Sequence, residues 1–88
     1  MKIMYHYVYV IKSLRDNDLY IGRTENLKKR FIAHKRGQVP STKDRRPFKF
    51  VYAEICNNIK DAVHREKYLK TARGKRYIKH RVKNDKSS

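Results

Sequence analysis

Tyr9, Tyr20, Arg30, His34 and Glu66 are polar or ionisable side chains on segments whose pattern is otherwise apolar, and together their functional groups suit hydrolysis of a phosphodiester. Tyr9 closes the segment Tyr7-Val8-Tyr9 and Tyr20 opens Tyr20-Ile21-Gly22, two strand-like stretches. A phenol held on a strand can orient a water or take its proton. Leu27, Arg30, Phe31 and His34 recur at i, i+3, i+4 and i+7, which is one stripe of a helix, and half of that stripe is polar. Such residues either are partly buried or line a cleft beside the core, since a buried guanidinium without a partner is costly. Ile59, Ala62, Val63, Glu66 and Leu69 form a second stripe with a carboxylate in its middle. Glu66 is then either half of a buried ion pair with Arg30 or an oxygen ligand for a divalent cation. A hard ion such as magnesium needs only one or two protein carboxylates and fills its shell with water and phosphate oxygens. Plainer alternatives stay open at every position: Arg30 snorkels, His34 caps the edge of the core, and the tyrosines pack with their hydroxyls at the rim.

The elements that must position these groups follow from local pattern. Residues 5–11 alternate Tyr5, Tyr7, Tyr9 and Ile11 on one face with His6, Val8 and Val10 on the other; Leu14-Arg15-Asp16-Asn17-Asp18 supplies turn chemistry, and Leu19-Tyr20-Ile21 resumes the strand. This predicts a β-hairpin. Thr24 or Asn26 caps a helix over 27–36, stopped by Gly37 and Pro40. Residues 38–47, polar and basic with both prolines, read as an exposed, flexible contact loop. A third strand over 48–54 precedes an amphipathic helix over 59–72, closed by Gly74 in a left-handed cap, and a last helix over 75–82 packs through Ile78 and Val82. The order ββαβαα predicts a small α+β domain, a sheet covered by helices. One domain over 1–83 with a polar tail over 84–88 is expected.

Across 88 residues, 24 lysines and arginines face 8 acidic residues, a formal net charge of +16. A field of that sign concentrates polyanions, so nucleic acid is the expected partner. A membrane partner is not expected, because the basic residues are spread along the chain without a long apolar run or a strongly apolar helix face. The single Cys56 excludes an internal disulfide, and one cysteine with scattered histidines lacks the spacing of a structural zinc site. With no leader-like opening, the expected location is the cytoplasm.

The ordered set Tyr7-Val8-Tyr9, Tyr20-Ile21-Gly22, Arg30 closing Asn26-Leu27-Lys28-Lys29-Arg30, then His34 and Glu66, resembles the GIY-YIG nuclease family, particularly its small bacterial single-domain members. The glycine that opens the first motif there is Tyr7 here. The resemblance implies a three-stranded antiparallel sheet flanked by helices. It also implies roles: Tyr9 as general base, Tyr20 positioning the water or the phosphate, and Arg30 neutralising charge on the phosphate. His34 would hydrogen-bond a phosphate oxygen or a tyrosine, and Glu66 would hold Mg2+, with Mn2+ as a substitute. The implied activity is a metal-dependent DNA endonuclease of repair or processing, structure-selective or weakly specific, since family members commonly depend on a fused recognition domain or a protein partner for target choice. A noncatalytic nucleic-acid-binding module of the same fold is the alternative. Arg23, Lys28, Lys29, Lys43, Arg45 and Arg46 surround the motifs in sequence and are the expected phosphate contacts, with DNA ahead of RNA.

Overall fold

A computed structural model of the chain describes residues 4–84, so of the polar tail only Asn84 is included and 85–88 lie outside the described residues. The elements are β1 (His6–Ser13), β2 (Leu19–Thr24), α1 (Leu27–Lys35), a short 3-10 turn (Lys43–Arg45), β3 (Phe48–Cys56), α2 (Ile59–Leu69) and α3 (Ala72–Arg81). β1 runs between β2 and β3 and is antiparallel to both, which gives the α+β order ββαβαα with a three-stranded antiparallel sheet.

The period of two along β1 separates two apolar layers. Val8 and Val10 join Leu19, Ile21, Ala62, Leu69 and Ile78 on one side. Tyr9 and Ile11 join Phe48 on the other, with Tyr20, Leu27, Phe31 and Phe50 packed against them. The sheet is therefore enclosed by α1 on one face and by α2 and α3 on the other. A bulge shifts the β1–β3 register between Val10 and Ile11, opposite Tyr52 and Phe50. It lets consecutive Val51 and Tyr52 both pack on the α2–α3 side.

Asn26 caps α1, its side chain accepting from Lys29 N–H at 3.0 Å. Gly37 at φ 74° ends the helix, with Gly37 N–H on His34 O at 3.2 Å and Gln38 N–H on Ala33 O at 2.9 Å. These two bonds form a Schellman motif, in which glycine is favoured because the backbone is left-handed. The loop after it is anchored rather than loose. Ser13 Oγ donates to Arg45 O at 2.7 Å, Arg15 donates to Asp44 O at 3.0 Å, and Arg45 Nε donates to Asp16 at 2.9 Å. The β1–β2 turn thus clasps the 3-10 turn.

The two expected helices over 59–72 and 75–82 are α2 and α3, with the break between them at 70–71 rather than at 73–74. α2 stops at Leu69, and Thr71 starts α3 by accepting Gly74 N–H at 3.0 Å and donating to Tyr68 O at 2.6 Å. Gly74 is not the left-handed cap the pattern predicts; it lies inside α3 and is buried. A Cβ there would collide with Tyr68 O and come within 2.5 Å of Leu69 Cα. Both are main-chain atoms of the preceding helix, which cannot yield without moving α2 from α3. Gly74→Ala should therefore lower stability by about 1–3 kcal/mol, read as a reduced urea midpoint at unchanged slope. Glu54 on β3 is held from two sides. Arg65 grips both of its oxygens at 2.7 and 2.9 Å, Tyr52 donates to it at 2.7 Å, and the guanidinium stacks on Tyr68 and Tyr77.

Candidate active site

Tyr9 and Tyr20 lie on the sheet face beneath α1, and α1 itself carries Arg30 and His34. Tyr9 lies on the central strand opposite Gly22 of β2, and the pairing register brings Tyr20 two positions away on that strand. His34, in the last turn of α1, is fully buried between them and Phe48: its ring centroid is 5.6 Å from Tyr9, 5.3 Å from Tyr20 and 6.0 Å from Phe48. Tyr9 Oη and His34 Nε2 are hydrogen-bonded at 2.7 Å, and His34 Nδ1 is 2.8 Å from Thr42 Oγ1. His34 is thus the middle of a buried phenol–imidazole–hydroxyl chain, more than a cap on the core edge.

Gly22 makes this geometry possible. A Cβ at Gly22 would fall on the Tyr9 hydroxyl and lie 2.5 Å from Cζ, so the Tyr9 ring rests directly against bare β2 backbone. Glycine inside a strand is the sequence signal of such a close approach. Gly22 is thus the floor under the Tyr9 ring. Thr42 carried no signal, being one hydroxyl residue in a polar loop.

Arg30 is exposed. With Lys29, Thr24 and Asn26 it lines an open depression of about 200 Å³ at the start of α1. Among the described residues no carboxylate pairs with it, so the expected Glu66–Arg30 ion pair does not form. Arg30 nevertheless bears on the site, since its charge acts on both Tyr9 and His34.

Glu66 approaches from α2, on the opposite side of the sheet. Its Oε1 accepts from Arg23 Nε at 3.3 Å, at the end of β2, and its Oε2 lies 3.1 Å from Lys70 Nζ. The carboxylate is close enough for its charge to raise the Tyr9 pKa. Among the described residues no group of three or more His, Cys, Asp or Glu side chains could share an ion with it. One oxygen-donor carboxylate fits a hard divalent cation whose remaining shell is water and phosphate, once Arg23 or Lys70 releases an oxygen, and does not fit a zinc-type site.

Burial pushes the Tyr9 phenol well above its ordinary pKa, and nearby Tyr20 and Glu66 add to this while Arg30 opposes it. His34 is pushed down to about 4 from 6.5, first by burial and then by Arg30. The imidazole is therefore neutral at pH 7. Between those two values the unfolded chain binds this proton and the folded chain does not, so stability should fall as pH drops through that window. Urea midpoints measured from pH 7 to pH 4 test this, and His34→Gln should flatten that part of the decline.

Of the six expected phosphate contacts, Lys28, Lys29, Lys43 and Arg46 are exposed. Arg46 Nε donates to Lys43 O at 2.8 Å. Arg23 is engaged by Glu66, and Arg45 by Asp16 while lying over the Phe48 ring. No helix among the described residues is long and apolar enough to cross a membrane.

Comparison with known proteins settles the family. Residues 5–80 match the GIY-YIG catalytic domain. The chain belongs to the GIY-YIG family. A UPF0213 protein of Staphylococcus haemolyticus is 42% identical over 67 residues, 75% of this chain and 80% of its own length. One of Staphylococcus saprophyticus is 40% identical over the same coverage, and one of Clostridium perfringens is 44% identical over 66 residues, 74% of this chain and 70% of its own. These relatives are small bacterial single-domain GIY-YIG proteins, and their names carry no activity. No solved structure matches the chain. The GIY-YIG domain defines a nuclease superfamily whose members generally depend on a divalent metal and act on nucleic acid.

Proposed function

We propose that this GIY-YIG protein is a Mg2+-dependent endonuclease that hydrolyses DNA phosphodiester bonds in repair or processing, with structure-selective or weakly specific cutting. The observation that carries the reading is the constellation around Tyr9. A phenol is hydrogen-bonded to a neutral imidazole, with an exposed arginine that has no carboxylate partner among the described residues on one side and a half-buried carboxylate on the other. In this reading Tyr9 accepts a proton from the attacking water, Tyr20 orients that water against the phosphate, and Arg30 neutralises the charge that develops on the phosphoryl oxygens. His34 holds the Tyr9 oxygen. Glu66 would hold the cation, which when bound polarises the phosphate and favours departure of the leaving oxygen. Because its ligand is a single carboxylate, Mn2+ should substitute.

Lys28 and Lys29 line a shallow groove of about 390 Å³ along α1 with Arg36 and Gln38, and Lys43 and Arg46 extend the exposed basic surface across the loop. We assign phosphate binding to these side chains, with Arg23 joining them when it leaves Glu66; Arg45, clasped by Asp16, serves mainly to hold the loop. With about five phosphate contacts, DNA affinity should fall by about 10²–10³-fold between roughly 50 and 200 mM salt. A salt-insensitive binding curve would contradict the assignment.

The noncatalytic alternative has one observation in its favour: two cations already neutralise Glu66. Incubating labelled duplex, single-stranded, flapped and four-way-junction DNA, and matching RNA, with Mg2+, Mn2+ or chelator separates the readings. Metal-dependent cutting of DNA is expected. Cutting confined to RNA would replace the substrate, and binding without cutting of any substrate would favour the alternative.

A further inference from the structure

Among the described residues α1 and α3 are α-helices without an acidic residue, whereas α2 carries Asp61 and Glu66. The two acid-free helices cover opposite faces of the sheet. α3 buries Gly74 and Ile78 against the core and turns Arg73, Arg76, Lys79 and His80 outward, all of them exposed. With Tyr77, Lys83 and Tyr68 these side chains line an open groove of about 670 Å³, away from the site beneath α1. Among the described residues no carboxylate pairs with Arg73, Arg76, Lys79 or Lys83.

This charge sits where the helix itself disfavours it. Arg73 lies in the first turn, at the positive end of the helix dipole, and Arg76 has Arg73 one turn before it and His80 one turn after it, spacings at which like charges repel. A merely solvated helix face gains from interleaved carboxylates, and α3 has none. Arg73, Arg76, His80 and Lys83 recur at i, i+3, i+7 and i+10, one face of a helix, and Arg73 to His80 spans about 10 Å along the axis. Such a row of cations matches a row of phosphates. No Leu, Ile, Val, Phe or Trp lines the groove, so it lacks the apolar side that a membrane-bound helix buries among lipids.

The two tyrosines decide which form of nucleic acid fits. Single strands are held by bases stacked on bare aromatic rings. Here the Arg65 guanidinium lies over both rings, 5.3 Å from Tyr68 and 4.9 Å from Tyr77, while Arg81 lies 5.9 Å from Tyr77 and Tyr68 also packs on the core. Arg65 is in turn fixed by both oxygens of Glu54. The rings are occupied, so the surface offers cations and no stacking platform, which suits the backbone of a duplex.

A duplex seated along α1 does not reach α3. The body measures 43 × 29 × 20 Å and the two helices flank opposite faces of the sheet, so one duplex touching both would bend around the protein over far less than its persistence length of about 150 bp. We propose that the outer face of α3 binds the phosphate backbone of a second duplex arm of the same substrate, so that the protein holds branched DNA by two arms, one along α1 and the other along α3. Arms joined at a branch meet the two surfaces at high effective concentration, which separate duplexes do not. That the arm along α1 is the one cut rests on the nuclease reading above; the second binding surface does not.

The test is binding of the full chain, with chelator present so that nothing is cut, to a four-way junction and to a linear duplex of matching arm length over a range of salt. Wild type should hold the junction about 10-fold or more tighter than the duplex, with a steeper salt dependence. In the triple variant Arg73→Gln, Arg76→Gln, Lys79→Gln the junction salt slope should fall by about 3, at about 0.9 per lost phosphate contact, and the junction preference should vanish while duplex affinity stays within about twofold. All three side chains are exposed and their loss relieves like-charge repulsion, so the urea midpoint should not fall. A variant that binds the junction as wild type does, or that loses duplex and junction affinity in equal measure, overturns the proposal, as does a wild type without junction preference. Unchanged junction binding with lost adhesion to phosphatidylserine vesicles would overturn it in favour of a membrane surface. If the junction preference behaves as expected but no DNA is cut in Mg2+ or Mn2+, the nuclease reading fails and the two-arm surface stands.

Discussion

Replacing Tyr9 with phenylalanine is expected to lower the single-turnover rate of DNA cleavage by about 10²–10⁴-fold, the usual worth of a positioned general base, with the fold and DNA affinity retained. The ring stays, so the packing of Tyr9 with Ile11 and Phe48 survives and only the oxygen bonded to His34 is removed. The wild-type pH profile carries the same information. Burial holds the Tyr9 pKa above its ordinary value, so the reactive phenolate is a small fraction that grows about tenfold per pH unit below that pKa. The rate should rise from neutral into the alkaline range with no plateau below about pH 10. The groups facing Tyr9 are His34 and Arg30 from α1, Tyr20 from β2 and Glu66 from α2. His34, pushed down to about 4, stays neutral throughout that range and adds no inflection. A flat profile, with chemistry shown to be rate-limiting, would contradict Tyr9 as the base.

Gly22→Ala should be nearly as damaging to cleavage, about 10²-fold or more, although it removes no functional group. The added methyl would occupy the place of the Tyr9 hydroxyl, so the ring must swing off β2 and the bond to His34 Nε2 breaks. A shift of about 1 Å at a reacting group costs on the order of 10²-fold in rate. Overpacking should also destabilise the fold by about 1–3 kcal/mol. Activity measured well below the melting temperature separates the two effects. A Gly22→Ala enzyme that is destabilised yet cuts at the wild-type rate would show that Tyr9 need not lie against β2.

The architecture was legible because its signals are local. Alternation over residues 5–11 placed Tyr9 and Ile11 opposite Val8 and Val10, and the two layers found around β1 follow it. Asn26 and Gly37 bounded α1 through cap chemistry that involves only near neighbours. That two helices follow β3 was legible, but the place of the break between α2 and α3 was not, because Ala62, Leu69 and Ile78 all belong to one buried layer and hydrophobic pattern cannot register a change of helix axis. Gly74 was misread for a related reason. A glycine needed for close contact and a glycine needed for positive φ look the same in sequence, and only the neighbouring Tyr68 carbonyl distinguishes them.

Ion-pair partners were the least legible part of the site. Glu66 meets Arg23, 43 positions earlier, and Lys70 one turn later, whereas helix periodicity had directed attention to Arg30. Arg30 turns outward from a nine-residue helix in which Leu27, Phe31 and His34 already cover the sheet, and so stays available to substrate. Residues 38–47 are polar and basic and read in sequence as contact surface only. Their clasp to the hairpin depends on Asp16, Ser13 and Arg15, none of which has a reason in local pattern to reach that loop.

The most direct test of a metal-dependent hydrolytic site at Tyr9 and Glu66 is a paired measurement of cutting and binding on the same labelled DNA, comparing wild type with Glu66→Ala in Mg2+. Cutting by wild type that is lost in Glu66→Ala, with DNA affinity unchanged or raised because Arg23 and Lys70 are freed, is the predicted result. Equal cutting by both proteins would contradict the role of Glu66, and salt-sensitive binding without cutting by either would contradict catalysis itself.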